Sequence, residues 1–289
     1  PNSQLWSNFY AYRFSQYFRS SGVNGIYSDF AHPIKDTNPL TESGYERDGK
    51  RRPTYSIFKY HELQKRLYIM AKECETPGRR ILFVGHSGGT YCLPHANFWD
   101  MVVDPEYLGG VISANSPTLD YITADRIRAE YNGRQFGVML NFIPIRDGKY
   151  RKYTDDTMTM LTAAAIPWWN HTFLLQDRQS EVFQAYAKIG FTGNNIFLPF
   201  WNNAEYVQSS SPDVNCTIIG KKGKMLLSIC NFSDQPQDVA VTLKPEKLLF
   251  DNGMRILRAT TGNEVEQKEN TIMVSLPGRN FTQLLLLEQ

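Results

Sequence analysis

The sequence predicts an α/β chain in two parts: the C-terminal part of a (β/α) barrel over residues 1–200, and a small antiparallel β-sandwich over residues 203–289. Two observations support this division. Up to about residue 190, helix-like and strand-like segments alternate, which is typical of βαβ units. From residue 203 onward, short alternating strands are separated by turn residues, which is the pattern of a sandwich.

The first part begins with a helix over Leu5–Ser20, where aromatic residues recur at near-helical spacing. A short apolar strand, Gly25–Tyr27, follows it. The other predicted helices are Ser56–Cys74, Ala96–Val103, Asp125–Tyr131, Asp155–Ala165 and Ser180–Ile189. The other predicted strands are Ile81–Val84, Val111–Ser113, Val138–Leu140 and the extended run Ile166–Trp169.

The first part is short for a closed barrel. About 190 residues with about five strands compare with about 250 residues and eight strands in a typical (β/α) barrel. We therefore expect either an open sheet or a barrel whose N-terminal strands lie before Pro1.

The second part contains six predicted strands: Asn215–Ile219, Met225–Cys230, Val239–Leu243, Arg255–Ala259, Thr271–Leu276 and Thr282–Leu287. The segment 202–212 is predicted to be a linker. Cys216 and Cys230 flank the predicted turn at Lys222-Gly223. We expect both to remain thiols, because a one-residue change of register would place them on opposite faces of the sheet.

Composition excludes several classes of function. Lys and Arg number 31 and Asp and Glu number 29, so the net charge of +2 gives no reason to expect nucleic acid or an anionic membrane as partner. No apolar run is long enough to span a bilayer. The four cysteines lack metal-ligand spacing, and we expect neither a metal nor a cofactor. The oligomeric state stays open.

The most informative motif is the run Gly22–Phe30, in which a short strand ends in Asp29. Catalytic groups of (β/α) barrels lie at the carboxyl ends of strands, so Asp29 is a candidate catalytic residue. Tyr27, two residues earlier on the strand, is expected to point to the same side. His86 and Arg134 are the basic groups expected to converge on Asp29. The competing interpretation is a loop aspartate that caps a helix or pairs with an arginine.

Glycosidic cleavage requires two carboxylates, and the second one is not fixed by the sequence. Glu46, Glu106 and Glu130 are the candidates. The arginines near the last two could position a ligand or a catalytic carboxylate, but a structural ion network is the interpretation that we favour.

Further residues are candidates for substrate binding. His32 lies in the long loop after Asp29, and His86 and Ser87 follow a buried strand. Trp168 and Trp169, with His171, are candidates for a wall on which a sugar stacks.

The segment Gly85–Gly89 also matches the nucleophile-elbow pattern G-x-S-x-G between a strand and a helix. In that alternative Ser87 is the nucleophile of a serine esterase, with Asp147 or Asp155 and with His171 completing a triad. The interpretation that we favour is a glycine-lined strand end at which His86 and Ser87 line a binding pocket.

These motifs also carry a family resemblance. The run Gly22–Phe30, together with the segments 44–45, 51–58, 62–68, 86–88, 98–100, 128–131, 133–137 and 168–169 and the terminal sandwich, resembles bacterial proteins of the glycoside hydrolase family 123 type. The resemblance implies a (β/α) barrel followed by a β-sandwich, a carbohydrate substrate, and a periplasmic or extracellular bacterial setting. Members of that family use an adjacent Asp-Glu pair, whereas the corresponding place here is Ser28-Asp29, with one acid.

We therefore expect a glycoside hydrolase that uses Asp29 and a second acid, or a weakened relative that binds sugars. The alternatives are the serine esterase and a non-catalytic carbohydrate-binding protein.

Overall fold

The computed structural model describes residues 3–29, 31–41, 43–87, 92–104, 123–131, 137–142, 170–172, 177–190 and 192–289. The chain forms two compact units. The first comprises Pro1–Tyr107 and Arg134–Ile143, and the second comprises Leu108–Gly133 and Pro144–Gln289.

Three helices and eight strands form the described part of the first unit. The helices are α1 (Gln4–Ser21), α2 (Ile57–Glu73) and α3 (Leu93–Ala96). The strands are β1 (Gly25–Ser28), β2 (Lys35–Asp36), β3 (Tyr45–Arg47), β4 (Lys50–Arg52), β5 (Thr54–Tyr55), β6 (Leu82–His86), β7 (Met101–Asp104) and β8 (Met139–Phe142). Strands β1, β6, β7 and β8 pair in that order and are all parallel, which confirms the α/β class of this part.

The core of the first unit lies between this sheet and its helices. Phe18 of α1 and Leu67 of α2 are buried against Phe83 of β6 and Val102 of β7. Four aromatic rings lie along α1 at i, i+4 spacing, those of Trp6, Tyr10, Phe14 and Phe18. Only Phe18 is fully buried. The aromatic periodicity therefore predicted the helix correctly, because one side of the stripe packs on the sheet.

One prediction for this unit is wrong. The segment Ala96–Val103 was expected to be a helix, but α3 ends at Ala96 and β7 begins at Met101. Val102 and Val103 are both buried in the parallel sheet. Two β-branched residues in succession favour a buried strand, and their contacts with neighbouring strands outweigh the helical spacing.

The described part of the second unit begins with a short helix, α4 (Ala124–Arg126), that continues as a π-helical turn over Ile127–Tyr131. The strand β9 (Asn170–Thr172) and the helix α5 (Asp177–Ile189) follow. The remaining strands are β10 (Ile196–Leu198), β11 (Val207–Ser209), β12 (Val214–Lys221), β13 (Lys224–Asn231), β14 (Gln237–Leu243), β15 (Met254–Arg258), β16 (Thr271–Leu276) and β17 (Phe281–Glu288).

The strands after α5 form a sandwich of two antiparallel sheets. One sheet has the order β10-β12-β13-β17-β15, and the other has the order β11-β14-β16. Ile218 and Leu227 from the first sheet and Val241 and Ile272 from the second are fully buried in one shared core. All six predicted strands of this part are present, and Gly223 supplies the positive φ of 72° at the β12–β13 turn.

The segment 202–212 is not a linker, contrary to the composition-based prediction. It contains β11, which pairs with β14. Asn203 is buried, and its side-chain amide donates to the carbonyl of Cys216 at 2.6 Å. The polar turn residues of this segment looked like a linker in the sequence. The sequence alone does not show that they form hydrogen bonds with distant parts of the chain.

The predictions for Val111–Ser113, Asp155–Ala165 and Ile166–Trp169 fall outside the described residues. Within the described ranges, no helix has both the length and the apolar character that crossing a membrane requires.

The strand register explains the state of the two sandwich cysteines. Cys216 is opposite Ile229, and Cys230 is opposite Asn215, so the two sulfur atoms lie on different faces of the sheet. Both residues are thiols, as predicted. Burial raises the pKa of the Cys216 thiol to about 12 and raises the pKa of Cys230 well above its ordinary value.

These two thiols are expected to be unreactive in the folded protein. With a pKa of about 12, about one Cys216 side chain in ten thousand is a thiolate at about pH 8. Ellman's reagent should therefore modify the half-buried Cys74 and Cys92 in the native protein, and should modify Cys216 and Cys230 only after denaturation. Rapid native modification of all four thiols would contradict this packing.

Candidate active site

The candidate site lies where two parallel strands end. The register of β1 and β6 aligns Ser28 with Gly85, so the next positions, Asp29 and His86, are neighbours at the carboxyl edge of the sheet. Side chains alternate between the two faces of a strand. Tyr27, Asp29 and His86 therefore share one face, as the sequence predicted for Tyr27 and Asp29, and Gly85 lies on the face that the helices cover.

His86 connects the three side chains. Its Nδ1 atom lies 3.1 Å from Oδ1 of Asp29 and 3.0 Å from the hydroxyl oxygen of Tyr27. The side chain of His86 is 9% exposed, whereas that of Asp29 is 61% exposed. A ligand at this edge therefore meets the carboxylate and the phenol ring, while the buried imidazole supports both from beneath.

The backbone fixes the turn that carries Asp29. The amide of Ala31 donates to the carbonyl of His86 at 2.8 Å, and Ala31 is buried. The turn is thus attached to β6 immediately after Asp29, as well as through the β1 pairing immediately before it. Such a two-sided attachment limits the positions that the carboxylate can take relative to the imidazole.

Gly85 makes room for this arrangement. A Cβ atom at Gly85 would lie 2.8 Å from the indole of Trp99 and 3.1 Å from the Cβ of Ala31. Because Trp99 is buried against Phe83, the indole has little space to retreat. The glycine is needed for close packing on the face opposite the site.

Ser87 has the geometry of a strand end. Its amide donates to the carbonyl of Val103 at 3.1 Å, which continues the pairing of β6 with β7, and the residue is buried. Ser87 is absent from the residues with positive φ. The sharp, strained turn that a nucleophile elbow requires is therefore not present at this serine. Asp147 and Asp155 of the alternative triad lie outside the described residues, and so does the side chain of His171.

The candidates for the second carboxylate either pair with an arginine or lie outside the described residues. Glu46 lies on the β3–β4 hairpin, where it forms an exposed ion pair with Arg51 at 3.4 Å. Glu130 belongs to the second unit, and it pairs with Arg126 at 2.8 Å. Glu106 lies outside the described residues.

The other predicted binding residues are His32, Arg134, Trp168 and Trp169. His32 is half-buried in the loop three residues after Asp29. Arg134, Trp168 and Trp169 lie outside the described residues.

The strand-end position of Asp104 was missed because of the wrong helix prediction. Asp104 ends β7, the strand that pairs with β6, so its backbone reaches the same carboxyl edge as His86. The signal in the sequence was the apolar pair Val102-Val103 followed directly by Asp104-Pro105, which is a strand followed by a breaker.

Comparisons with solved structures place this fold among glycosidases. An α-amylase from Anoxybacillus superposes with a TM-score of 0.55 at 10% identity, over 98% of this chain and 63% of that chain. A family 27 β-L-arabinopyranosidase from Geobacillus stearothermophilus has a TM-score of 0.55 at 14% identity, over 98% and 61%. The α-galactosidase I from Mortierella vinacea has a TM-score of 0.53 at 9% identity, over 99% and 72%.

These relatives are (β/α)-barrel glycosidases with C-terminal β domains. At such low identity the likeness concerns the fold alone. The chain spans about three fifths of the length of the first two structures.

One family model matches part of the second unit. Residues 178–275 match the C-terminal domain of glycoside hydrolase 123, so the resemblance read from the sequence is confirmed over this range. The match begins within α5, and α5 packs against β13 and β17 of the sandwich. No curated protein matches the chain in sequence.

Adding a methyl group at Gly85 tests the packing on which the site rests. Gly85→Ala places a Cβ atom 2.8 Å from the Trp99 indole, and overpacking of this kind costs about 1–3 kcal/mol of stability. Gly193→Ala is the matched control, because a Cβ atom there meets nothing within 4 Å. Urea unfolding should show a lower midpoint for the first variant and little change for the second. Equal midpoints would show that Trp99 moves aside freely.

Removing the Ser87 hydroxyl separates the pocket-lining interpretation from the esterase. Ser87→Ala should leave kcat for aryl glycosides and for aryl esters at the parent level and change KM at most, because this serine has the geometry of a strand end that lines a pocket. If Ser87 were the nucleophile, Ser87→Ala would instead reduce the rate of ester hydrolysis by several orders of magnitude. Loss of an esterase activity in a variant that melts like the parent would establish the serine hydrolase alternative.

Proposed function

We propose that this chain is part of a glycoside hydrolase that cleaves O-glycosidic bonds in a glycan, with Asp29 as one of two strand-end carboxylates. In this proposal the parallel sheet of the first unit belongs to a (β/α) barrel, and the sandwich is its C-terminal companion. The observation that carries the proposal is the contact of the exposed Asp29 carboxylate with the buried His86 at the carboxyl edge of parallel strands.

The comparisons support the same class of reaction. The family matched by residues 178–275 is a glycoside hydrolase family, and the superposed structures are glycosidases. One of them, a variant of the arabinopyranosidase at 13% identity, was solved in complex with arabinose. Active sites of barrel enzymes lie at the carboxyl ends of the strands, which is where Asp29 and His86 meet.

The chemistry of the site fits a sugar. Asp29 supplies either the general acid or the charge that stabilises an oxocarbenium-like transition state. The ring of Tyr27 is 46% exposed beside it and offers an apolar face for a pyranose ring. The second carboxylate of the proposal is one of Glu46, Glu106 and Glu130.

Two further elements belong to the proposal. If the second carboxylate is not in place, the protein is a weakened relative of these enzymes, which binds glycans at the same site without cleaving them. A periplasmic or extracellular bacterial setting rests on the family resemblance.

Replacing the carboxylate of Asp29 by an amide tests the proposal. Asp29→Asn should reduce turnover of aryl glycosides by about 10²–10⁴-fold, the contribution of a positioned acid or base. The melting temperature should stay close to that of the parent, because the Asp29 side chain is 61% exposed and an exposed ion pair contributes about 0–1 kcal/mol.

Asp48→Asn is the matched control. Asp48 lies in the same loop region, where its exposed side chain pairs with Arg47, and its replacement should leave turnover unchanged. Normal activity of Asp29→Asn would remove Asp29 from the catalytic machinery, and a strongly lowered melting temperature would make it a structural residue.

A further inference from the structure

One nitrogen atom of His86 faces two oxygen atoms. Nδ1 lies 3.1 Å from Oδ1 of Asp29 and 3.0 Å from the hydroxyl oxygen of Tyr27. An imidazole nitrogen has a single in-plane site, which is either an N–H donor or a lone pair. The two oxygen atoms therefore share that site, and the position of one proton decides what both of them do.

The charge of Asp29 selects between the two states. A carboxylate accepts hydrogen bonds but donates none. A lone pair on Nδ1 would lie 3.1 Å from a carboxylate oxygen, and these two electron-rich atoms would repel each other. A proton on Nδ1 turns the same contact into a hydrogen bond from His86 to Asp29, and charge-assisted bonds of this kind are about twice as strong as neutral ones.

The groups around the imidazole agree with this choice. Tyr27 of β1 and Asp29 of the following turn supply the oxygen atoms, and the β7 residue aligned with His86 is the buried, apolar Val103. The amide of Ala31 holds the turn against the carbonyl of His86. The backbone around His86 and Asp29 is thus fixed, and Nδ1 of His86 faces the carboxylate.

We propose that His86 is locked in the tautomer that carries its proton on Nδ1, and that it is a positioning residue which holds the Asp29 carboxylate aimed at the substrate. This inference rests on the proposed function and refines it. Asp29 then takes the charge-stabilising role, and the general acid is the second carboxylate.

The tautomer can be measured without any substrate. Long-range ¹H–¹⁵N correlation spectra of ¹⁵N-histidine-labelled protein distinguish a protonated ring nitrogen from a lone-pair nitrogen, and a ring with one nitrogen of each kind is a neutral tautomer. His86→Asn identifies the signals of His86 among the five histidines. We expect a protonated Nδ1 in the parent protein and in Tyr27→Phe.

Removal of the carboxylate should reverse the tautomer. In Asp29→Ala the hydroxyl of Tyr27 is the remaining oxygen partner of the pair, and it donates to Nδ1, which moves the ring proton to Nε2. A lone-pair Nδ1 in the parent protein, or the same tautomer in the parent and in Asp29→Ala, would overturn the proposal.

Two conservative variants test the positioning role. The side-chain amide of Asn places an N–H donor near the position of Nδ1, whereas that of Gln places it near Nε2. His86→Asn should keep most of kcat for aryl glycosides, and His86→Gln and His86→Ala should lose about 10–100-fold, the usual effect of removing a group that orients a catalytic residue. The loss should fall on kcat with KM nearly unchanged.

The outcomes separate this proposal from the proposed function. If no glycoside is cleaved, the function fails, while the tautomer still decides whether His86 holds the Asp29 carboxylate. If glycosides are cleaved and His86→Gln is as active as His86→Asn, with all variants melting like the parent, the function stands and the positioning role of His86 is wrong.

Discussion

The parallel pairing of β1 with β6 is the constraint on which the candidate site depends. Its register places Asp29 beside His86, and it places Gly85 beneath Trp99 on the opposite face. Because side chains alternate along a strand, a shift of β1 by one residue relative to β6 would turn Asp29 toward the helices and away from His86. The hydrogen bond from Ala31 to His86 then fixes the turn in which the carboxylate lies.

The family match and the candidate site lie in different units of the chain. The family match lies in the second unit, where residues 178–275 cover most of α5 and most of the sandwich. Its stability rests on one apolar core, and β17, which follows the matched range, lies between β13 and β15 in the larger sheet. The folded domain therefore extends to the end of that strand. The first unit contains the candidate site, and its likeness to solved glycosidases is one of fold.

The chemistry of the site supports a role for Asp29 more strongly than similarity to other proteins does. Sequence identities of 9–14% to the superposed glycosidases do not transfer residue roles. What supports a role for Asp29 is its exposure, its contact with a buried imidazole and its place at the end of a parallel strand. The same neighbourhood disfavours the esterase, since the amide of Ser87 continues the sheet instead of entering a strained turn.

The sequence by itself determined the elements whose signals are local. Periodic aromatic residues predicted α1, alternating apolar residues predicted six strands of the sandwich, and the apolar run before Asp29 predicted a strand end with Tyr27 on the same side. These features depend on side-chain period and on turn residues, which neighbouring positions define.

Only the tertiary structure decided the features that depend on distant partners. Val102 and Val103 form a strand because β6 and β8 flank them, and the segment 202–212 belongs to the sandwich because β14 pairs with it. The meeting of Asp29 with His86, 57 positions along the chain, follows from strand register. Register is a property of two segments at once, so no single stretch of sequence specifies it.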